Sequence, residues 1–378
     1  MDGKSGTFFR QARRSGLWSE AEAVHRSTVT KARANLSWTA FEQMHHDAVR
    51  LAYEVWPAND SYTWQGLSVF AIDGSKYDLP ASVALWAAFD PDSGLDKPGK
   101  GHYPQCLVST VCDVFRRLPI ARTVQPIALA NEREEAKALV PHIPKGGILL
   151  FDRGYPSYDL IDYLIRHYQG YWVFRCPARS TFAAVEDFVR SGKTDAAITL
   201  APPGAKPITL RAIRMESPDG ELSVLLTNLP DEPRFAAAAV IALYLRRWAV
   251  ELQYRDEKTS LDIETFHSQT ENGILQELFA ILVMAVIART LMAMMTDPDH
   301  PAKAEPQFKH AMITMAQEAF VLAPQCPELA LIIFTELLDE IARVRYYRPQ
   351  TPRPSQPRVS KKPINKWQVD KAKRIADA

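Results

Sequence analysis

Two short apolar runs in this chain each close on an aspartate. Residues 67–73 read LSVFAID and residues 147–152 read GILLFD. Both are too short for a helix and carry no polar alternation, the pattern of a strand buried on both faces. Each is expected to end at its carboxylate, Asp73 or Asp152, with residues 75–80 (SKYDLP) as a tight polar loop after the first. Between them, residues 106–115 and 118–128 read as a hairpin around Arg116-Arg117, and residues 131–139 as a helix. An amphipathic helix over 157–169 and a strand over 171–176 follow. The order is strand, hairpin pair, helix, strand, helix, strand.

The flanks read differently. Residues 1–65 are helical, with helices over 19–36 and 40–55 ended by Pro57. The stretch 28–35 resembles a recognition helix, with Lys31 and Arg33 available for phosphates. Residues 177–229 hold strand-like pieces joined by PPGAKP and SPDG turns, a small β-rich insertion. Residues 94–104 are a Gly/Pro/Lys loop. A long apolar helix over 273–294 reads as core, and two more helices over 306–322 and 327–343 complete the C-terminal region. The tail from 346 is basic and proline-rich, expected to be extended. The domains are therefore expected at 1–65 (helical, DNA-binding), 66–176 with 230–295 (a split core), 177–229 (insertion), 296–345 (helical) and 346–378 (tail).

The chemistry concentrates in residues 244–258, YLRRWAVELQYRDEK. Tyr244, Arg247, Glu251 and Lys258 would fall at roughly 0°, −60°, −20° and −40° on one continuous helix. All four then share a narrow polar face. Leu245, Trp248 and Leu252 are expected to form a core stripe on one flank, with Leu243, Val250 and Tyr254 on the other. An ordinary Arg247–Glu251 surface pair at i,i+4 is the plain alternative. The spacing Y-x2-R-x3-E-x6-K resembles the YREK signature of the DDE transposases of bacterial insertion sequences. The two strands with terminal aspartates resemble the DG(S/T) and DRGY segments of the same family, here DGS and DRGY.

That resemblance covers roughly residues 65–295 and implies a ribonuclease H-like mixed α/β sheet, with a β-rich insertion before the Glu251 helix. The strand order resembles that of such a sheet, in which the first and fourth strands lie side by side, and that resemblance implies that Asp73 and Asp152 meet at one edge of the sheet. It implies that Asp73, Asp152 and Glu251 are catalytic and hold Mg²⁺ or Mn²⁺, two ions in all. It also implies that Tyr244, Arg247 and Lys258 touch DNA phosphates. The activity implied is cleavage at terminal inverted repeats and transfer of the cut strand into target DNA, with a homodimer in the synaptic complex. Some relatives pass through a hairpin and stack a flipped base on a Trp of the insertion. Here 177–229 holds no Trp, only Phe182 and Phe188; Trp172 and Trp248 lie just outside.

Composition adds limits. The 378 residues are 47% hydrophobic and 24% charged, ordinary for a globular chain of two or three domains. Cys106, Cys112, Cys176 and Cys326 have no CxxC spacing, and His102, His142 and His267 are isolated, so no zinc site is expected. Three carboxylates make a hard-oxygen site suited to Mg²⁺ or Mn²⁺. No GxxxxGK[ST] loop points to ATP. No apolar run approaches 18 residues and the first residues lack a signal-peptide core, so a bacterial cytoplasmic location is expected, with the nucleoid when DNA is bound. The net charge is +1, yet residues 343–378 carry eleven Lys or Arg against Asp370 and Asp377, a net +9 that includes Lys361 and Lys362. Basic ends around an acidic middle suit a protein that holds DNA and collects cations. Two other readings share these residues: a metal-dependent nuclease of the same fold, and a silent DNA-binding regulator. The intact carboxylates and signature disfavour the second.

Overall fold

A computed structural model of the chain describes residues 9–10, 12–16, 18–20, 25–57, 59–90, 103–179, 182–216, 220–260, 266–296, 304–322 and 325–347. The 94–104 loop, apart from its last two residues, and the basic tail with Lys361 and Lys362 lie outside them. Residues 1–346 make one unit and 347–378 a second.

One eight-stranded mixed sheet, in the order β3-β2-β1-β4-β5-β8-β7-β6, organises the first unit. Its strands are β1 (Val69–Asp78), β2 (Gln105–Asp113), β3 (Leu118–Pro126), β4 (Ile148–Phe151), β5 (Tyr171–Pro177), β6 (Asp195–Leu200), β7 (Ile208–Glu216) and β8 (Leu222–Thr227). β1 and β4 are neighbours and parallel, as expected, and β5 is parallel to β4. All four residues of β4 are fully buried. Successive side chains of a strand point to opposite faces, so each buried run feeds two cores. Phe70, Ile72, Leu149, Phe151 and Phe174 pack with Ala136, Leu139, Leu160, Ile161 and Leu164 from the helices Glu132–Leu139 and Tyr158–His167. Val69, Ala71, Ile148, Leu150 and Val173 pack with Leu85, Val240, Leu243, Val250, Tyr254 and Ile274 on the other side. The result is helix, sheet, helix: two hydrophobic layers with the sheet between them.

Three expectations change. β1 does not stop at Asp73. Residues 74–78 continue it by antiparallel pairing with β2, from Gly74↔Ser109 to Asp78↔Gln105, so Tyr77 is fully buried rather than in a loop. The strands of residues 177–229 continue the same sheet, because β8 pairs antiparallel with β5. Two helices, Val83–Phe89 and Ala183–Arg190, were not expected; Leu85, Phe89, Val185 and Phe188 are the apolar positions that bury them.

Residues 9–10 and 12–14 are helical, and the helix Arg26–Asn35 starts later than expected, with His25 as its N-cap. Thr39–Val55 packs along the long helix Glu271–Met294, with Trp38 stacked on Phe279 at 5.4 Å between ring centroids. Glu271–Met294 is long and apolar enough by composition to cross a membrane, but 67% of its most apolar window is buried inside the protein. Its far end, through Ala288, Leu291 and Met292, makes a third core with Phe308, Met312, Leu337 and Ile341 of the two C-terminal helices.

Candidate active site

The parallel β1–β4 ladder ends at Ile72↔Phe151. The next residue after each of these is an aspartate, so Asp73, midway along β1, and Asp152, just past the end of β4, stand at the same level where the two strands stop pairing with each other. Their side chains are 20% and 31% exposed. Gly74 donates its N–H to Asp73 Oδ1 at 3.0 Å. The buried Tyr254 hydroxyl lies 2.7 Å from the Asp73 carbonyl and 3.0 Å from that of Val108, fixing the strand at the aspartate.

Residues 244–258 are not one helix. Ala237–Leu245 ends, the chain turns through Arg246 and Arg247, Trp248–Arg255 begins, and Asp256–Ser260 forms a π turn. This rotates the faces away from the single-helix expectation. Leu243, Val250 and Tyr254 are buried, as expected of that flank. Leu245 and Trp248, expected in the core, are 51% and 49% exposed, and Leu252 is half-buried. The core side of this segment is therefore Val250, Gln253, Tyr254 and Glu257. Val250→Ala is expected to lower stability by about 2 kcal/mol, a fully buried truncation, and Leu252→Ala by under about 1 kcal/mol. Urea denaturation of the two variants checks it; equal losses would restore Leu252 to the core.

Arg247 turns inward among the acids. Its side chain is 5% exposed. Nη2 is 2.9 Å from Glu251 Oε1 and 3.8 Å from Asp152 Oδ1, and Nη1 is 3.7 Å from Asp73 Oδ2. One guanidinium thus stands within ion-pair reach of all three expected carboxylates. The Tyr244 hydroxyl donates to Asp152 Oδ1 at 3.4 Å. Burial works to lower the Arg247 pKa, but the fields of Tyr244, Asp152 and Asp73 and the bond to Glu251 hold it above its ordinary value. Arg247→Ala leaves three partly buried carboxylates facing one another, and a stability loss of about 3 kcal/mol is expected. A thermal melt within a degree of wild type would contradict this.

Burial raises the Asp73 carboxyl from 3.8 to about 6, with Arg247 and the Gly74 N–H pulling it down and the charges of Glu251 and Asp152 pushing it up. The folded chain holds this proton at pH values where the unfolded chain has lost it. The stability contribution is full below about pH 4 and is lost as pH rises through about 6. Asp73→Asn removes that slope. Its stability relative to wild type is expected to rise on the order of 2–3 kcal/mol between pH 4 and pH 7. Denaturant titrations at the two pH values measure it, and a difference that does not change with pH would refute the shift.

The other expected residues divide. Lys258 sits in the π turn, donates to the Lys76 carbonyl at 2.6 Å and lies 4.3 Å from the Tyr77 ring centroid. Lys31 is exposed on Arg26–Asn35. Arg33, expected to be available for phosphates, instead docks its helix on the start of Glu271–Met294. It donates to Gln276 Oε1 at 2.9 Å, the Gly273 carbonyl at 3.1 Å and Glu277 Oε1 at 2.6 Å. Of the aromatic residues near the insertion, Trp172, Phe182 and Phe188 are buried, which leaves Trp248 with a half-exposed ring.

Beneath the site lies a pair that sequence reasoning missed. Arg122 on β3 and Glu257 in the π turn form a 2.6 Å ion pair with both side chains fully buried. Glu257 also accepts from the Tyr77 hydroxyl at 2.8 Å and Gln253 Nε2 at 3.1 Å. Asp256 next to it pairs with Arg289 of the long helix at 2.5 Å. These bonds pin the segment that carries Glu251 to the sheet.

Asp73, Asp152 and Glu251 offer only carboxylate oxygens, a donor set that fits Mg²⁺ or Mn²⁺. As they stand, no three acidic, His or Cys side chains among the described residues close on a single point, since Arg247 nitrogens lie between these three.

Comparison with known proteins gives the family. Residues 64–287 match the family model described as the transposase DDE domain. The chain is 26% identical over 284 residues to the transposase InsG for insertion sequence element IS4 of Escherichia coli (strain K12), covering 72% of this chain and 62% of that protein. It is 29% identical over 167 residues to the putative transposase y4zB of Sinorhizobium fredii (strain NBRC 101917 / NGR234), covering 39% and 43%. The chain thus spans under two thirds of the length of these relatives. A solved structure of piggyBac transposase, in a synaptic complex with hairpin DNA, aligns at 12% identity and a TM-score of 0.41, over 76% of this chain and 59% of that one. The matched span begins before β1 and ends within Glu271–Met294, so it contains Asp73, Asp152 and Glu251, and the chain belongs to the transposase DDE domain family, with similarity to the transposase of the IS4 type.

Proposed function

We propose that this chain is an insertion-sequence transposase that cuts DNA at the element's ends and joins the freed 3′-hydroxyl to target DNA, with Asp73, Asp152 and Glu251 as the metal-holding catalytic triad. The observation that carries this is the convergence of those three side chains on Arg247 where the parallel β1–β4 pairing ends. Family membership supports the class of reaction, and the relatives are transposases by name. The five strands from β3 to β5 are read as the ribonuclease H-like part of the sheet.

Mg²⁺ or Mn²⁺ bound by these carboxylates would supply Lewis acid activation of water or a 3′-hydroxyl and stabilise the leaving oxygen. The protein's own contribution is placement and charge. Asp73 and Asp152 are rigid because their strands are paired and buried. Tyr244 orients Asp152 through its hydroxyl. Arg247 offsets the three negative charges and stands where a scissile phosphate would need a cation. Leu245, Arg246 and Trp248 form an exposed rim beside it, with Arg246 5.0 Å from the Phe115 ring centroid. We assign Trp248 as the ring that stacks on an unpaired base near the cut. Lys31, Lys361, Lys362 and Lys258 are proposed to meet backbone phosphates, and two copies to hold two ends. An enzyme of this kind works where chromosomal DNA is, in the bacterial cytoplasm.

The test is incubation of the full chain with labelled end DNA, target plasmid and Mg²⁺. Nicking at the element boundary and label transferred to the plasmid are expected. Cutting with no joined product would favour the nuclease reading; no cutting on DNA that the chain binds would sink both.

A further inference from the structure

Arg247 and Glu251 are four residues apart, and on an unbroken helix they would make an ordinary ion pair. Three features of Arg247 set it apart from that. The guanidinium is centred on the group of acids and not on Glu251 alone. Nη2 bonds Glu251 Oε1 at 2.9 Å yet stands 3.8 Å from Asp152, and Nη1 stands 3.7 Å from Asp73. The pose is also incompletely satisfied. Nε and Nη1 are buried with no hydrogen-bond partner, which opposes folding.

The third feature is the backbone. The N–H groups of Arg246, Arg247, Ala249 and Val250 bond back three residues, to the carbonyls of Leu243, Tyr244, Arg246 and Arg247, at 2.9 to 3.1 Å. Such a tight stretch between two helical pieces is a frequent hinge. Arg246 and Trp248, on either side, are exposed. The inward side chain therefore sits at the edge of solvent, on the turn that could release it. Carboxylates spaced around a guanidinium stand too far apart for a small ion that needs its oxygens at about 2.1 Å. The arginine and a divalent cation compete for the same three acids.

We propose that Arg247 is a lock on this centre: without DNA its guanidinium fills the place of the cation among Asp73, Asp152 and Glu251, and a DNA phosphate draws it out through the turn at Arg246–Arg247, opening the centre to metal. This rests on the metal-dependent reading above. DNA and metal then raise each other's affinity by the same factor, so the centre loads weakly until DNA is in place.

The experiment is Mn²⁺ titration of the full chain without DNA, followed by the electron paramagnetic resonance of the free ion. Arg247→Gln is expected to tighten Mn²⁺ binding at least about tenfold. Arg246→Gln, the same charge loss one residue away on the exposed side, is expected to leave it unchanged. An end duplex is expected to tighten Mn²⁺ binding more in wild type than in Arg247→Gln, where nothing remains to be displaced. Mn²⁺ is also expected to raise the melting temperature of Arg247→Gln more than that of wild type, because the ion takes the place the guanidinium left. If the variant is unfolded without metal, its refolding on Mn²⁺, followed by circular dichroism, is the same readout. Equal isotherms for Arg247→Gln and wild type, equal gains for Arg247→Gln and Arg246→Gln, equal effects of the duplex, or an unfolded variant that Mn²⁺ does not rescue would overturn the lock. Asp73→Asn separates this from the larger reading. If it abolishes Mn²⁺ binding while Arg247→Gln binds as wild type, only the lock falls. If neither changes binding, the metal-centre reading falls with it.

Discussion

Asp73→Asn, Asp152→Asn and Glu251→Gln are each expected to leave under about one per cent of wild-type DNA cleavage, because metal-assisted phosphoryl transfer supplies several kcal/mol of transition-state stabilisation. Each substitution removes one negative charge at nearly constant volume. Each residue stands on a differently supported element, so failure of one does not imply misfolding of all. Asp73 sits in a strand paired on both sides, Asp152 follows the fully buried β4, and Glu251 sits on Trp248–Arg255. DNA binding is expected to persist, since the exposed Lys31, Arg246 and Trp248 are untouched. Gel-shift and cleavage assays on the same preparations separate the two effects. A variant that cuts above about one per cent removes its residue from the triad.

The sequence showed the central strands because a strand buried on both faces is a continuous apolar run, and LSVFAID and GILLFD have no other reading at that length. It did not show that β1 continues, because residues 74–78 alternate and only Tyr77 among them turns into the core. The four signature residues were legible as a spacing, and the structure does bring Tyr244, Arg247 and Glu251 to the aspartates. Their orientation was not legible. A wheel drawn through residues 244–258 assumes unbroken helix, and the turn at Arg246–Arg247 shifts everything after it. Trp248 then falls outside and Arg247 inside, and Leu245, at the end of the helix before the turn, is exposed as well. Arg33 illustrates another limit. A basic residue on an N-terminal helix looks free for DNA until its partners Gln276 and Glu277, more than 240 residues away, are in view.

Glu257→Gln, or Arg122→Met alone, is expected to cost about 3–5 kcal/mol, since either leaves a buried charge without its partner. The two residues lie 135 positions apart and no local pattern announces them. Both side chains are fully buried at 2.6 Å. Arg122 Nε also donates to Thr110 Oγ1 at 3.0 Å, and the Tyr77 hydroxyl and Gln253 Nε2 donate to the Glu257 carboxylate. Burying two ions opposes folding, and their attraction offsets this while the geometry holds. The double replacement Arg122→Met with Glu257→Leu removes both charges, so it is expected to recover at least half of the single-variant loss. Function tells the two cases apart. Glu257 stands six residues after Glu251 and one before Lys258, and it ties the π turn to β1 and β3. The double variant is expected to fold yet cut poorly, because Glu251 loses the anchor that sets it opposite Asp73 and Asp152. Denaturant midpoints and cleavage rates on the three proteins decide this. If the double variant cuts as wild type, packing alone positions Glu251 and the ion pair serves stability only.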